Sequence, residues 1–542
     1  MSQIVRLIKL LGKALTKYKF TIICLIYLCV VSVLATSNTL EQGVSKPSII
    51  NALSFVLVIN LLAKIKNSTL STIFTAILSV LISFDAYFAF VYKSIIGMGI
   101  MASIFETNTT EAKEALGTAA PMALLVLVAT TALLFLSKRE LKELNFSTKK
   151  TAVILLAYLI FFIPGMLYRK LSVNEVWMGS FKSHPLTTAQ NIISAHFPII
   201  YGDILTLTAY QNEMYQLRKY RTTERTLPEG ITLLSTDSIP DKIFIILGES
   251  SYRQHYSLYG YEIKTTPFLD SLANEPSADM KYYNGLAPAT FTRDALRIIL
   301  TFSNPSDKQP FFTNKNILDL AHKAGYETIW ASNQSRVELD GSYIGLISSE
   351  ATHVYFPNEP YDDLNLVSYI ERIYSKDKKQ LFILHLVGSH LTYSTRYDDI
   401  DRKAITGDDK NHTVQYDRTI HHTDRVLRNA YHILQKDSSS VLYYFPDHGE
   451  IIGVGHGFMY PGLEQFDIPL ITINNSYKNI DNIVSKYINK DCGLINTTCA
   501  IYFLSETMGY TVSQENIEKT LSDGKQILHA DGNIYRYEDI PR

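Results

Sequence analysis

The sequence predicts a bundle of five transmembrane helices followed by an α/β domain with helices on both faces of its sheet. Long apolar runs dominate residues 20–169, whereas the remainder of the 542-residue chain is mixed, polar and rich in tyrosine. In that remainder, short apolar runs typical of buried strands alternate with helical patterns, which indicates an α/β sheet. The formal net charge of −1 gives no indication of a nucleic-acid partner.

Five apolar stretches are long enough, or nearly so, to cross a bilayer core as helices. They occupy residues 20–35, 49–63, 70–91, 121–136 and 151–167. A cleaved signal peptide is the alternative for the first stretch, because a basic segment precedes it. No small-residue cleavage site stands out before Gln42, and four more apolar stretches follow. We therefore expect an uncleaved first helix.

Lysines and arginines predict the orientation, since they are enriched in cytoplasmic segments. The N-terminal tail and the second and fourth connections are basic, whereas the first and third connections hold only Lys46, Lys93 and Lys113 between them. Five crossings then place everything after about residue 168 on the far side of the membrane. We expect a membrane domain over 1–169, interfacial helices over 170–239 and an exported α/β domain over 240–542.

The third connection, residues 93–120, carries polar side chains at helical spacing. Ser103, Thr107 and Glu111 recur every four residues, so a helix would align them on one face. A row of hydroxyls and a carboxylate at a membrane surface suits an ammonium headgroup. A solvated helix start with acidic residues is the alternative, and these three residues alone favour that alternative.

Three polar clusters follow three of the predicted strands. Because the carboxyl ends of strands line the ligand crevice of an open α/β sheet, clusters far apart in sequence can meet there. Each cluster alone is equally typical of a turn or a helix start, but together their carboxylates and imidazoles predict a zinc or manganese site. The clusters are Gly248-Glu249-Ser250, Gly388-Ser389-His390 and Asp447-His448-Gly449-Glu450, with His456 shortly after the third.

Thr292 is the candidate nucleophile for such a site. Residues 289–300 change from a polar to a helical pattern at Thr292, which places it at or near a helix N-terminus. The backbone N–H groups and the dipole at that position would bind a phosphate. A metal bound to the hydroxyl would lower its pKa and produce an alkoxide. An ordinary N-cap threonine is the alternative, and the local sequence alone favours it.

These motifs together resemble the phosphoethanolamine transferases of Gram-negative inner membranes, which belong to the alkaline phosphatase and sulfatase superfamily. The resemblance covers nearly the whole chain, including five helices before a periplasmic domain. Residues 292–302 resemble the nucleophile segment of that family. The other matching motifs are Gly248-Glu-Ser with Leu258-Tyr-Gly-Tyr, His385-Leu-Val-Gly-Ser-His390 and Asp447-His-Gly-Glu.

The resemblance implies a role for each candidate residue. Zinc is the implied cofactor, with a second ion possible and manganese less expected. The implied zinc ligands are Glu249, Thr292, Asp447 and His448. Thr292 also carries the covalent phosphoethanolamine, and His390 and His456 are accessory catalytic histidines. The implied substrate-binding residues are Thr107, Glu111, Ser103 and Arg336.

The implied reaction transfers phosphoethanolamine from phosphatidylethanolamine to lipopolysaccharide core, lipid A or another surface glycan or protein. The enzyme would lie in the inner membrane, with its catalytic domain in the periplasm. The sequence is more similar to members that modify core heptose or several acceptors than to the disulfide-rich lipid A type. It has Pro288-Ala-Thr-Phe-Thr where lipid A enzymes have Cys-Gly-Thr-x-Thr, and only Cys492 and Cys499 lie outside the apolar runs. An exported compartment favours a disulfide between these two, with two free thiols as the alternative.

Two other functions remain as alternatives. A phosphoglycerol transferase of the same superfamily resembles this layout and uses a different phospholipid headgroup. A membrane sensor or transporter with a metal-binding external domain is the alternative from another class. A transporter predicts ionisable residues inside the spans, and Asp85 in the third span is the one clear candidate in the sequence.

Overall fold

The computed structural model describes residues 16–37, 46–106, 109–144, 146–173, 178, 181–182, 185–334, 342–357, 362–437, 439–457, 462–477, 480–530 and 532–540. These residues form two units, each with its own hydrophobic core. The N-terminal unit lies mainly within Met1–Phe105 and Thr109–Asn212. The C-terminal unit lies mainly within Glu213–Gly457 and Gly462–Arg542.

The described part of the N-terminal unit is helical. A π-helical turn, Tyr158–Phe162, joins α6 to α7 in one continuous run. The helices are α1 (Lys19–Ala35), α2 (Lys46–Ala63), α3 (Ser68–Tyr92), α4 (Met98–Glu106), α5 (Thr109–Lys142), α6 (Thr148–Ala157), α7 (Ile163–Val173), α8 (Pro185–His196) and α9 (Tyr201–Leu217).

Within the described ranges, three helical runs are long and apolar enough to cross a membrane: Ser68–Tyr92, Ala119–Lys142 and Thr148–Val173. They coincide with the third, fourth and fifth predicted spans. The first two predicted spans lie on the shorter apolar helices Lys19–Ala35 and Ile49–Ala63. The structure therefore supports a membrane-spanning N-terminal unit, and the count of five spans stays a prediction.

Side chains on these helices separate into an apolar outer surface and a partly polar interior. Leu125 and Phe161 are 63% and 73% exposed, and many other large apolar side chains of the helices are also exposed. A continuous apolar surface of this kind is disfavoured in water and suited to lipid. Inside the unit, the Glu140 carboxylate accepts hydrogen bonds from the backbone N–H groups of Phe20 and Thr21, at 3.1 and 2.8 Å, and so satisfies donors at the start of α1.

The C-terminal unit alternates strands and helices as the sequence predicts. Its strands are β1 (Ile231–Leu233), β2 (Lys242–Gly248), β3 (Asp279–Leu286), β4 (Glu327–Ser332), β5 (His353–Tyr355), β6 (Gln380–His385), β7 (Ser440–Pro446), β8 (Asp467–Asn475), β9 (Leu494–Asn496), β10 (Tyr510–Val512), β11 (Gln526–Leu528) and β12 (Ile534–Arg536). Its helices are α10 (Pro267–Ala273), α11 (Thr292–Ile299), α12 (Gln309–Thr313), α13 (Ile317–Lys323), α14 (Tyr343–Ser348), α15 (Leu364–Ile373), α16 (Asp399–Ala404), α17 (His412–Leu434), α18 (Ile480–Val484), α19 (Ala500–Thr507) and α20 (Gln514–Asp523).

An eight-stranded mixed sheet in the order β5-β4-β6-β2-β7-β8-β3-β9 forms the centre of this unit. The strands from β5 to β7 are parallel, and β8 runs antiparallel to both of its neighbours. Successive residues of β2 enter different cores: Ile243 and Ile245 pack on the side of α11, α13 and α19, whereas Phe244 and Ile246 pack on the side of α15 and α17. Helices therefore cover both faces of the sheet, which confirms the predicted α/β class.

Strand register brings the three polar clusters to one edge of the sheet. Leu247 of β2 lies opposite His385 of β6, and Gly248 lies opposite Pro446 of β7. Because these three strands are parallel neighbours and end together, the residues that follow them leave the sheet side by side. This alignment positions the candidate site.

The prediction of a disulfide in this unit is wrong, because Cys492 and Cys499 are both free. Cys492 is exposed before β9, whereas Cys499 is buried just before α19. The thiol of Cys499 lies 3.7 Å from the carbonyl oxygen of Thr520, and the Thr520 hydroxyl lies 3.6 Å from Sγ. Strand β9 lies between the two cysteines in the chain. The buried side chain of Cys499 contacts Thr520 of α20.

Candidate active site

Four of the predicted site residues converge at the shared edge of β2 and β7. Thr292 is the first residue of α11, and its hydroxyl donates to Oε2 of Glu249 at 3.1 Å. The same oxygen lies 3.3 Å from Nε2 of His448. That nitrogen is 3.2 Å from Oδ2 of Asp447 and 3.5 Å from Oε1 of Glu249. Residues separated by up to 199 positions in the chain therefore bring four donor groups together.

The spacing of these donor atoms fits a tetrahedral metal ion. With bonds of about 2.0–2.2 Å, as for zinc with nitrogen and oxygen, ligand atoms in a tetrahedron lie about 3.3–3.6 Å apart. Four separations in the group are close to this range: the Thr292 hydroxyl lies 3.1 Å from Oε2 of Glu249 and 3.3 Å from Nε2 of His448, and that nitrogen lies 3.5 Å from Oε1 of Glu249 and 3.2 Å from Oδ2 of Asp447. Oδ2 of Asp447 is buried and has no hydrogen bond among the described residues. A cation at this position would satisfy that oxygen.

Backbone geometry holds the two carboxylates in place. Oδ1 of Asp447 accepts the N–H groups of His448 at 2.8 Å and of Ser250 at 3.3 Å. Ser250 has a positive φ of 54°, which a non-glycine residue adopts only where its surroundings enforce it. Gly388, in the loop that follows β6, also has a positive φ. A Cβ atom at this position would lie 2.8 Å from the carbonyl oxygen of Glu249. Only glycine allows this loop to approach Glu249 so closely.

Among the described residues, burial and the neighbouring carboxylates, rather than a lysine or arginine, dominate the electrostatics of Glu249 and His448. Burial, followed by the neighbouring Asp447 carboxylate, raises the pKa of Glu249 well above its ordinary value. Burial lowers the pKa of His448 to about 4, which keeps the imidazole neutral. Nδ1 of His448 lies 2.8 Å from the carbonyl oxygen of Gly449, and donation there leaves Nε2 with a lone pair. Two carboxylates and a neutral imidazole form a donor set suited to a divalent cation.

The two accessory histidines lie beside this group. The ring of His456 is 4.1 Å from that of His448 and 5.4 Å from that of His390, measured between centroids. Burial lowers the pKa of His456 to about 4, and burial followed by the charges of His456 and Arg396 lowers that of His390 well below its ordinary value. Both imidazoles are therefore neutral at neutral pH and able to accept a proton or bind a cation.

Two residues of the site had no assigned role in the sequence. Glu450 is fully buried, accepts a hydrogen bond from the Tyr393 hydroxyl at 2.8 Å, and lies 3.0 Å from Nδ1 of His456. Gln334 donates from Nε2 to Oε2 of Glu249 at 3.2 Å. The Asp-His-Gly-Glu motif contained Glu450, but its contact with His456 depends on how the following loop folds back. Nothing in the sequence indicated that Gln334 would contact Glu249.

Of the predicted substrate-binding side chains, the structure describes only that of Ser103. Thr107 and Arg336 lie outside the described residues, as does the side chain of Glu111. Ser103 lies on α4 of the N-terminal unit, where its hydroxyl donates to the carbonyl oxygen of Gly99 at 3.0 Å. Their roles in substrate binding stay predictions.

A second group of carboxylates and histidine in the C-terminal unit contains Asp398, Asp401 and His422. A guanidinium nitrogen of Arg425 lies 2.7 Å from Asp398 and 2.8 Å from Asp401. Burial opposes protonation of His422, but hydrogen bonds to Asp362 and Asp401 raise its pKa to about 10. Two protein cations therefore already neutralise this group, which we interpret as an ionic cluster.

Comparison with known proteins identifies relatives of both parts of the chain. Residues 52–173 match the family model described as phosphoethanolamine transferase EptA/EptB, and residues 241–491 match the model described as sulfatase. Phosphoethanolamine transferase EptC of Escherichia coli K12 is 25% identical over 382 residues. These residues are 66% of this chain and 65% of that protein, so the chain matches slightly less than two thirds of the relative's length.

Solved structures share the fold. The integral membrane protein lipooligosaccharide phosphoethanolamine transferase A of Neisseria meningitidis aligns with a TM-score of 0.60 at 15% identity, over 91% of this chain and 97% of that one. The periplasmic domain of Escherichia coli EptC in complex with zinc aligns with a TM-score of 0.50 at 20% identity, over 59% of this chain and 98% of that one. The two family models and the curated relatives thus make the chain similar to phosphoethanolamine transferases in its apolar part and to sulfatases in its catalytic part. The solved structures show that it shares their fold.

Proposed function

We propose that this protein transfers phosphoethanolamine from phosphatidylethanolamine to an envelope acceptor, through a covalent intermediate on Thr292. The observation that carries the proposal is the position of the Thr292 hydroxyl, 3.1 Å from Glu249 and 3.3 Å from His448 at the first residue of α11. A hydroxyl among metal-type ligands and at a helix N-terminus combines an activated nucleophile with backbone donors for phosphate.

Glu249, Thr292, Asp447 and His448 would hold one zinc ion, and the zinc complex of the EptC periplasmic domain supports this choice of metal. When bound, zinc supplies the positive charge that lowers the pKa of the hydroxyl and stabilises charge on phosphate oxygens. A second ion beside His390 and His456 is compatible with their neutral imidazoles, and manganese suits these ligands less well.

In the first step, Oγ1 of Thr292 attacks the phosphorus of the phospholipid. The new O–P bond forms as the P–O bond to diacylglycerol breaks, and the hydroxyl proton passes to a neighbouring carboxylate or imidazole. The Thr292 hydroxyl already donates to Glu249, which makes that carboxylate the nearest acceptor. His390 or His456, neutral at the start, would take up this proton and pass it to the departing diacylglycerol oxygen.

In the second step, an oxygen of the acceptor attacks the same phosphorus, and the bond to Thr292 breaks. The accessory histidine takes the proton of the incoming hydroxyl and passes it to the departing Thr292 oxygen, which restores the free hydroxyl. Splitting one displacement into two lets the same group of residues activate both nucleophiles. The acceptor class we propose is lipopolysaccharide core or lipid A, with another surface glycan or protein as the broader possibility.

The proposed topology is a five-span inner-membrane anchor over 1–169, interfacial helices over 170–239 and a periplasmic catalytic domain over 240–542. Thr107, Glu111 and Ser103 would bind the donor headgroup, and Arg336 would bind the transferred phosphate. The family models match both the apolar part and the catalytic part, which favours the enzyme over a sensor or transporter. The first model also favours an ethanolamine donor over a glycerol donor.

Intact mass spectrometry tests the proposal directly. Zinc-loaded protein is incubated with vesicles of phosphatidylethanolamine or, in parallel, phosphatidylglycerol. We expect a mass gain of one phosphoethanolamine group on the wild type with the first lipid, no gain on Thr292→Ala, and a slower gain on Thr292→Ser, which keeps a hydroxyl. A glycerophosphate adduct would identify the phosphoglycerol transferase instead, and the same adduct on Thr292→Ala would exclude Thr292 as nucleophile.

A further inference from the structure

Helix α11, which begins with the proposed nucleophile, is too short to hold its own position. It has eight residues, and isolated helices below about 12–15 residues are marginal in water. The residue before it, Phe291, has no side-chain acceptor to cap the first turn. The position of Thr292 therefore depends on what the side chains of α11 contact.

Two arginines on α11 lie against one buried aromatic ring. Arg293 and Arg297 are four positions apart and so share a face of the helix. Their guanidinium carbons lie 4.9 and 5.5 Å from the centroid of the Tyr343 ring, which is fully buried. The side chains of Arg293 and Arg297 are 9% and 0% exposed. Two like charges buried side by side persist only when other groups compensate them.

The positive charge of Arg293 is compensated mainly by the carboxylate of Glu213, which lies on the last part of α9 and belongs to the C-terminal unit. Oε1 of Glu213 lies 2.6 Å from Nη2 of Arg293, and Oε2 accepts from Nζ of Lys308 at 2.8 Å. Burial opposes ionisation of Glu213, but the charges of Arg293 and Lys308 overcome it and hold its pKa well below the ordinary value. Glu213 is 80 residues from its partner arginine in the chain. Together Glu213, Tyr343, Arg293 and Arg297 form what we call the α11 clamp.

We propose that Glu213 and Tyr343 are positioning residues for Thr292. By holding Arg293 they fix the first turn of α11, and so keep the neighbouring hydroxyl between Glu249 and His448. The inference rests on the proposed role of Thr292 as nucleophile. Reacting groups must be placed closely for attack, and a displacement of about 1 Å can cost about a hundredfold in rate.

The same unit contains a matched control for this arrangement. Arg225 lies 4.4 Å from the centroid of the Tyr220 ring and pairs with Oε1 of Glu350 at 2.6 Å. Its side chain is 10% exposed, close to the 9% of Arg293. Neither Tyr220 nor Glu350 belongs to α11. Loss of the Glu350 carboxylate therefore weakens a comparable arginine–tyrosine contact without changing a residue of α11 or of the α11 clamp, while Asp319 still lies 3.3 Å from Arg225.

The experiment measures how fast zinc-loaded, full-length protein acquires phosphoethanolamine in vesicles containing phosphatidylethanolamine at increasing mole fraction. Rapid quenching with intact mass spectrometry gives a maximal rate and a half-saturating donor fraction, and thermal unfolding gives stability. We expect Glu213→Gln to lower the maximal rate about 10–100-fold and leave half-saturation unchanged. Both Glu213→Gln and Glu350→Gln should lower the melting temperature. The rate of Glu350→Gln should nevertheless stay within about twofold of the wild-type rate.

Two variants of the ring provide a second route if Glu213→Gln does not fold. Tyr343→Leu removes the surface beneath both guanidinium groups and should slow adduct formation about tenfold, whereas Tyr343→Phe keeps the ring and should recover most of that rate. Equal rates for Glu213→Gln and Glu350→Gln, or a change in half-saturation alone, would overturn the positioning role. A wild type that forms no adduct would overturn the proposed nucleophile itself, and the positioning role with it.

Discussion

Two clusters in the C-terminal unit use the same residue types for different purposes. Within the part of the chain that the structure describes, Glu249 and Asp447 form no ion pair with a lysine or arginine, and Nε2 of His448 lies 3.5 and 3.2 Å from their oxygens, close to the spacing of tetrahedral metal ligands. Asp401, by contrast, receives Arg425 and His422, whose pKa is raised to about 10. This difference shows that a cluster of carboxylates and histidine indicates a metal site only where no arginine, lysine or protonated histidine already neutralises it.

The largest expected effect comes from removing a carboxylate of the metal-type cluster. Asp447→Asn should lower zinc content to near zero and slow adduct formation by at least about a thousandfold, since a bound metal contributes several kcal/mol to transition-state stabilisation. Elemental analysis and the mass-spectrometric assay measure the two effects. Chelation of the wild type should reproduce the loss, and added zinc should reverse it in the wild type alone.

The matching change in the ionic cluster should affect stability instead. Asp401→Asn leaves His422 and Arg425 with too little negative charge, because each lies 2.8 Å from that carboxylate. We expect unfolding free energy to fall by about 3–5 kcal/mol in denaturant titration, with zinc content unchanged. Loss of zinc in this variant would mean that the second cluster is also a metal site.

The two clusters should also differ in their response to pH. The folded pKa of His422 is raised to about 10 from an ordinary 6.5. Its stabilising contribution is therefore fully present below pH 6.5 and is lost as the pH rises towards 10. We expect the wild type to lose on the order of 2–4 kcal/mol across that window beyond the loss seen in His422→Gln, measured by denaturant titration at fixed pH values. Parallel curves for the two proteins would contradict the assigned charge.

The smallest expected effect concerns the support of an accessory histidine. Glu450 contacts Nδ1 of His456 and accepts from Tyr393, so Glu450→Gln should leave zinc bound while slowing adduct formation about 10–100-fold. Tyr393→Phe removes the neighbouring hydroxyl and should have a weaker effect in the same assay. An unchanged rate in Glu450→Gln would show that His456 needs no orientation by this carboxylate.

The sequence predicted the parts of this molecule that depend on local pattern. Apolar runs followed by polar clusters located the ends of β2, β6 and β7, and the change of pattern at Thr292 located the start of α11. Because parallel strands end at one edge, the meeting of Glu249 with Asp447 followed from those local patterns. The roles assigned to these residues came from the family resemblance.

Other contacts had no local signal. The ion pair of Glu213 with Arg293 and the ionic cluster at Asp401 join segments whose proximity depends on tertiary packing. The disulfide prediction failed for a related reason: sequence spacing and compartment permit a bond, but the core directs Cys499 towards Thr520. The first two predicted spans lie on apolar helices that are shorter than the other three. The length of these two helices alone therefore does not establish that they cross a bilayer.

The central position of β2 and β7 in the eight-stranded sheet has a consequence for hydrogen exchange. Amides in central strands open only when much of a domain unfolds, whereas short edge strands such as β5 and β9, with three residues each, open by fraying. Glu249 and Asp447 directly follow the two protected strands. We therefore expect the amides of β2 and β7 to exchange among the slowest in the unit, so that the most protected strands fix the distance between Glu249 and Asp447.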